Sequence, residues 1–355
     1  MGGRKVEDRN INSIDKLSEK EMRMVSKVLE NYSFNVIKFV KVRSVYKLET
    51  SSGNICLKRM KHGKHKPLNG SILVQELVNK GFHNITKYYK TKNDRIYVKY
   101  RSSFFYATEW IDGEECDLNH IEEAKKCVKL LAHYHMASSN IDAKRLKIKN
   151  NLKNWPMVFK DNLQDLEKFE RIINRKRIKS EFDIAFGNFI ENIYHRGMVA
   201  INFLNTSEYY KLSRQASHNK TICHDSFYYQ NIIKKDDKYY IIDLDSIIID
   251  LHVNDLGKLI RRLMFKRSYK WDFEKAKMLI EEYTSVNKLD KSELEVMLAL
   301  IIFPHKFWKL GKKRYIKHKG WDESKYMRKL NRLTRYNDNQ NKFLEDYLNY
   351  LKDYQ

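Results

Sequence analysis

Apolar residues first recur at helical spacing, at Met22, Val25, Val28 and Leu29, behind a polar and charged start. The period then changes. Val45–Glu49 and Ile55–Lys58 alternate as strands do, and Ser51-Ser52-Gly53-Asn54 between them predicts a hairpin turn. Residues 71–80 return to helical spacing, with Ile72, Leu73, Leu77 and Val78 on one face and Gly81 where a C-terminal cap belongs. Two further strands are predicted at Arg95–Tyr100 and Phe104–Ile111, and a boundary falls near Asp112-Gly113. Beyond it the helical period dominates. Residues 119–139 carry Ala124, Cys127, Val128, Leu131, Ala132 and His135 at that spacing, and amphipathic stretches follow at about 157–175 and 180–204. Residues 221–245 interrupt it with two short strands, Ile232–Lys235 and Tyr239–Asp245. From 253 to 352 the pattern is helical again, and no internal repeat is present.

This order predicts an α+β fold. A polar and helical segment spans 1–34, a small antiparallel-sheet lobe spans 35–111, and a larger, mainly helical lobe spans 112–355 and carries the hairpin 221–245. Such a bilobal layout is that of a protein-kinase-like fold. The composition agrees: 355 residues suffice for two cores, 42% hydrophobic residues supply them, and 3 Pro and 12 Gly leave little for long linkers. The net charge of +24 points to anionic partners, or else to a lysine bias spread over solvated faces. Four widely spaced cysteines suggest neither a disulfide framework nor a zinc site, and fit a reducing compartment. Residues 1–16 lack the apolar stretch of a secretory signal, and no run of apolar residues is long enough to span a membrane.

The candidate chemistry centres on Ile222-Cys223-His224-Asp225-Ser226-Phe227-Tyr228-Tyr229-Gln230-Asn231 and on Asp243, within Ile241-Ile242-Asp243-Leu244-Asp245. Phosphoryl transfer to a hydroxyl needs oxygen ligands for Mg²⁺, a group that orients the hydroxyl, and a cation on the phosphates. An Asn after a turn and an Asp ending the next strand can share one hard metal ion. Otherwise the two are turn formers of a surface hairpin. Lys58 ends a strand, much like the phosphate-binding lysine of kinases, and Glu76 on the next helix is the natural carboxylate to pair with it.

The order of these pieces resembles the aminoglycoside and choline phosphotransferases, whose signature is His-x-Asp-x4-Asn followed by an apolar strand ending in Asp. Asp250-Leu251-His252-Val253-Asn254-Asp255-Leu256-Gly257 is similar to that family's trailing element. Cys56-Leu57-Lys58-Arg59, Thr108–Cys116 and Phe303-Pro304-His305-Lys306-Phe307-Trp308 resemble CotS-type spore coat proteins, over roughly residues 35 to 340. The resemblance implies a kinase fold, ATP and Mg²⁺ as cofactors, Asn231 and Asp243 as metal ligands, and His224 in its usual place. It implies synthesis in the cytoplasm of a sporulating cell, then residence in the spore coat among other coat proteins. Thr108-Glu109-Trp110-Ile111 falls where the hinge between lobes lies, so Glu109 and Ile111 are the expected adenine contacts.

Two departures stand out. Five residues before Asn231, where the family has its catalytic Asp, stands Ser226; Asp225 precedes it and could serve if the loop shifted by one residue. A serine is no general base at neutral pH. The segment Val42-Arg43-Ser44-Val45-Tyr46 also lacks the glycines that let backbone approach phosphates. Impaired phosphotransfer on a kinase scaffold, with a structural or interaction role, is therefore the first reading. An active phosphotransferase acting on a small hydroxyl compound or a coat protein is the second. A nucleic-acid-binding role is a weaker third, resting on Arg171–Lys179 and on Lys309–Lys319 with Trp308, Tyr315 and Trp321 interleaved.

Overall fold

The computed structural model describes residues 14–15, 17–61, 63–139, 141–142, 145–148, 152 and 154–354. The polar stretch 1–16 read from the sequence lies, apart from 14–15, outside them. The strands are β1 (Ile14–Asp15), β2 (Val36–Val42), β3 (Val45–Thr50), β4 (Gly53–Met60), β5 (Tyr88–Tyr89), β6 (Val98–Tyr100), β7 (Ser103–Glu109), β8 (Glu114–Glu115), β9 (Ile222–Cys223), β10 (Ile232–Lys235), β11 (Lys238–Ile241) and β12 (Ile248–Ile249). The helices are α1 (Glu19–Leu29), α2 (His65–Asn79), α3 (Ile121–Ser138), α4 (Trp155–Asn174), α5 (Glu181–Thr206), α6 (Tyr209–Asn219), α7 (Val253–Met264), α8 (Phe273–Thr284), α9 (Lys291–Ile302), α10 (His305–Gly311), α11 (Glu323–Thr334) and α12 (Asn337–Asp353).

They form two compact units. The first contains the chain up to Glu115, Ile141–Lys147 and Asn231–Ser246. Its main sheet is antiparallel in the order β1-β2-β3-β4-β7-β5, with β6 also on β7, and the hairpin β10–β11 takes β8 as a third strand. The β3–β4 turn closes between Thr50 and Gly53, and β4 lies on β7 with Lys58 opposite Tyr106. Val25 and Val28 of α1 join Leu48, Ile55, Leu57, Phe105 and Ala107 of the sheet in one buried cluster.

Several boundaries differ from the sequence reading, two of them for a clear local reason. α2 starts at His65 rather than near 71, because Pro67 suits a first turn and Gly70 continues the helix. A Cβ on Gly70 would run into the Tyr88 phenol, so the glycine lets helix and ring approach. The strand read as Tyr239–Asp245 stops at Ile241, since Asp243 adopts φ +64°, a left-handed backbone no strand accommodates. The segment around Arg43, also left-handed at φ +54°, is a tight β2–β3 hairpin with Val42 opposite Val45.

The second unit contains Cys116–Asn140, Ile148–Gln230 and Ile247–Gln355. Its centre is α9, whose run Leu294, Val296–Ile302 is buried on every side and packs against α5, α7 and α12. α5 opens with a reciprocal cap in which Ser180 accepts from the Asp183 N–H and Asp183 accepts from the Ser180 N–H. No described helix is long and apolar enough to cross a membrane.

Candidate functional site

β4 presents Lys58 between Val45 of β3 and Tyr106 of β7. Its ammonium is paired with Asp243 and lies 2.6 Å from Asp245 Oδ2. Burial pulls the Lys58 pKa down, but Asp245 and Asp243 outweigh it and hold the ammonium above its ordinary range. The Tyr106 hydroxyl donates to Asp245 Oδ1 at 2.7 Å, and Tyr88 stacks on Tyr106 at 5.6 Å. The hairpin that delivers the carboxylates is anchored at several backbone points. Ile241 N donates to Asn84 O at 2.9 Å, Thr86 N to Ile241 O at 3.3 Å, and Ile242 N to Asn231 O at 3.0 Å. Asn231 itself is buried. The left-handed Asp243 is a strained residue held by its surroundings, a state that clusters at functional positions.

Two of the expected site residues, Glu76 beside Lys58 and Glu109 at the adenine, have other partners. Glu76 pairs with Arg145 at 3.4 Å, and the Lys58 partners are Asp243 and Asp245. The Glu109 N–H donates to Lys87 O at 2.9 Å and its carboxylate accepts weakly from Lys87 N, so that edge of Glu109 is engaged within the sheet. Ile111 follows β7 and is half-buried. Asp245, Tyr106 and Tyr88 had not been singled out. Asp245 was available as the second carboxylate of Asp243-Leu244-Asp245, whereas nothing in the local pattern ties Tyr106 or Tyr88 to it.

Tyr106→Phe should cost about 1–2 kcal/mol, since it removes a hydrogen bond to an ionised carboxylate in a half-buried setting. Urea unfolding of the full chain checks this. An unchanged midpoint would mean that Asp245 is satisfied by Lys58 alone.

The second unit holds the loop His224-Asp225-Ser226, and α7 organises it. Asp255 accepts from the backbone N–H groups of His224, at 2.6 Å, and Asp225, at 2.8 Å. Asp225 has φ +61°, its carboxylate is ion-paired with Lys258, and Asn254 Nδ2 lies 3.3 Å from it. The Ser226 N–H donates to His224 Nδ1 at 3.3 Å. Arg262 donates to Phe227 O at 3.3 Å and covers the Tyr228 ring at 5.0 Å. Lys258 was not foreseen, although it follows Asn254 by one helical turn and so shares its face.

Below the loop, His135 Nε2 meets Asp255 at 3.2 Å and the Tyr283 hydroxyl meets His135 Nδ1 at 2.7 Å. Burial lowers the His135 pKa, so the ring is neutral and donates Nε2–H to the carboxylate. Burial alone would raise Asp255; the His135 hydrogen bond and the Lys258 charge help bring it down to about 2. His135, Cys223 and Asp255 stand close enough for a metal, but both His135 nitrogens are engaged and the Cys223 thiol faces Leu251 O at 3.1 Å. They form a closed hydrogen-bond network.

The aromatics of the basic C-terminal cluster are also engaged. The Tyr315 hydroxyl donates to Asp183 at 3.0 Å, Trp308 Nε1 donates to Asp165 at 3.0 Å, and the Trp321 ring is faced by Lys313, Lys325 and Lys329.

The family described as "Spore coat putative kinase YutH" matches residues 25–347. Spore coat protein S of Bacillus subtilis strain 168 is 26% identical over 337 residues, which cover 92% of this chain and 94% of that protein. An aminoglycoside phosphotransferase from Alicyclobacillus acidocaldarius superposes with a TM-score of 0.83 at 18% identity, over 92% of this chain and 96% of that one. The amicoumacin kinase hAmiN, crystallised with AMP-PNP, Ca²⁺ and Ami, superposes with a TM-score of 0.61 at 14% identity, over 91% and 93% of the two chains. The structural likenesses establish the protein-kinase-like fold of the aminoglycoside phosphotransferases, and the match over residues 25–347 establishes the lineage: this chain belongs to the YutH/CotS family of spore coat proteins.

Proposed function

We propose that this chain is a spore coat component that binds ATP with Mg²⁺, transfers phosphate poorly, and acts chiefly through contacts with other coat proteins. The observation that carries the reading is a contrast. Lys58, Asp243 and Asp245 form an intact cation–carboxylate group, with Asn231 on the same hairpin, while the base position holds Ser226 and the neighbouring Asp225 is occupied by Lys258.

The donor set fits the cofactor. Asn231, Asp243 and Asp245 offer hard oxygens of the kind Mg²⁺ prefers, and Lys58 is a charged donor already held by the two aspartates. With nucleotide bound, the metal would neutralise phosphate charge. Asn231 and Asp243 would hold that metal, and Lys58 would exchange a carboxylate partner for a phosphate oxygen. Ser226 can donate or accept a hydrogen bond but cannot take up a proton as a carboxylate does. Relatives in the spore coat family support synthesis in a sporulating cell and placement in its coat.

Calorimetric titration with ATP and Mg²⁺ tests the proposal. Saturable binding is expected in the unsubstituted chain. Asp243→Ala should weaken it about tenfold or more, because a metal ligand carrying full charge is lost, whereas Ser226→Ala should stay within about threefold. Absence of binding, or equal losses in the two variants, would overturn it.

A further inference from the structure

The helical unit contains a small cavity away from the loop 224–226. Arg261 and Phe265 from α7 and its end, Trp271, His305, Lys306 and Gln340 are among the residues lining it. The space open to the centre of a water-sized sphere is about 20 Å³. That admits a water or a monoatomic ion and excludes anything as large as a nucleotide.

The lining is chemically one-sided. Arg261 is 8% exposed and donates Nη1–H to Leu300 O at 2.8 Å, and it pairs with no carboxylate among the described residues. The Lys306 ammonium lies 4.1 Å from the centre of the Phe265 ring. The Trp271 indole N–H is buried and has no acceptor among the described residues. None of the described residues lining the cavity is Asp or Glu. Burial, then the charges of Arg261, Arg332 and Arg262, bring the Lys306 pKa down to about 7, as expected of positive charge gathered without compensation. A water accepts two hydrogen bonds and carries no charge. It could satisfy Trp271 and leave the cations opposed to one another. An anion of similar size would answer both needs.

We propose that this cavity is a binding site for a monoatomic halide, chloride in ordinary solution, held by Arg261, Lys306 and the Trp271 N–H. Arg262, next to Arg261 on α7, holds the carbonyl of Phe227, so the halide would relieve repulsion in the helix that braces the loop 224–226.

Thermal unfolding of the full chain in sodium chloride, bromide and gluconate at one ionic strength tests the site. Chloride and bromide should raise the midpoint above gluconate by about 2 °C or more. Lys306→Met and Trp271→Phe should each abolish the difference. Lys306→Met, which removes an uncompensated charge, should fold at least as well as the parent in gluconate. Bromide soaked into crystals should give an anomalous peak beside Trp271 Nε1. Equal midpoints in halide and gluconate, a halide effect that persists in Lys306→Met, or an empty cavity in bromide-soaked crystals would each overturn the proposal.

Discussion

Ser226→Asp should raise Mg²⁺-dependent ATP turnover about 10²-fold over the unsubstituted chain. By resemblance to the aminoglycoside and choline phosphotransferases, position 226, five residues before Asn231, is where a base would stand. The Asp225 carboxylate is bound by Lys258 and Asn254 on α7, and its backbone is fixed by Asp255. A general base contributes about 10²–10⁴-fold, or roughly 3–5 kcal/mol of barrier. The lower end is expected, because positioning and metal electrostatics carry most of phosphoryl transfer. Steady-state ADP release at saturating ATP and Mg²⁺ is the measurement. Asp225→Asn, by contrast, acts through the loss of the Lys258 pair and should show mainly as reduced stability. If the unsubstituted chain turns over briskly and Asp225→Asn kills that activity, Asp225 is the base and the reading as an impaired kinase is wrong.

Asp255→Ala should destabilise the helical unit by about 3–5 kcal/mol. The side chain is fully buried and joins the N–H groups of His224 and Asp225 to His135, so its removal strands two buried donors and one half-buried one. Its effect on pH dependence follows from the signs. The folded Asp255 pKa of about 2 lies below the ordinary 3.8, so its stabilisation is complete above 3.8 and is lost as pH falls towards 2. His135 and His252 are also lowered, in both cases first by burial, from an ordinary 6.5. Their neutral forms stabilise fully above 6.5, and that contribution declines as pH falls below it. Acid unfolding of the parent should therefore begin near pH 6 and steepen below pH 4; in Asp255→Ala the lower limb should flatten. Denaturant midpoints across pH 2–8 check this, and an unaltered low-pH limb would show that Asp255 is not the titrating group.

Periodicity exposed the elements because most helices here carry a buried stripe and the strands alternate, as in α3 with Ala124, Val128 and Leu131. It misplaced ends where backbone geometry, not hydropathy, decides, at Gly70 inside α2 and at the left-handed Asp243. Type and spacing single out Lys58, Asn231 and Asp243 in the strand unit and His224 in the helical unit. Their partners were less legible. The pairing of Lys58 with Asp243 rather than Glu76 depends on how the hairpin anchored by Asn84 and Thr86 meets β4, and no local pattern encodes that. Asp255 was visible in the family's trailing element, but its bonds to the loop backbone appear only once α7 and the loop are folded together.

The strand unit takes its last piece from Asn231–Ser246, and Lys58 lies 185 residues ahead of Asp243. During synthesis at about 5–20 residues per second, that gap is a wait of roughly 10–40 s. Through it, β4 exists without the carboxylates that compensate its buried ammonium, and the Glu114–Glu115 strand has no β10 to lie against. The first unit to leave the ribosome is thus the one that cannot finish folding until about half of the second has been made. A nascent chain stalled near residue 115 should expose its sheet to chaperones and proteases, and release past residue 246 should close it.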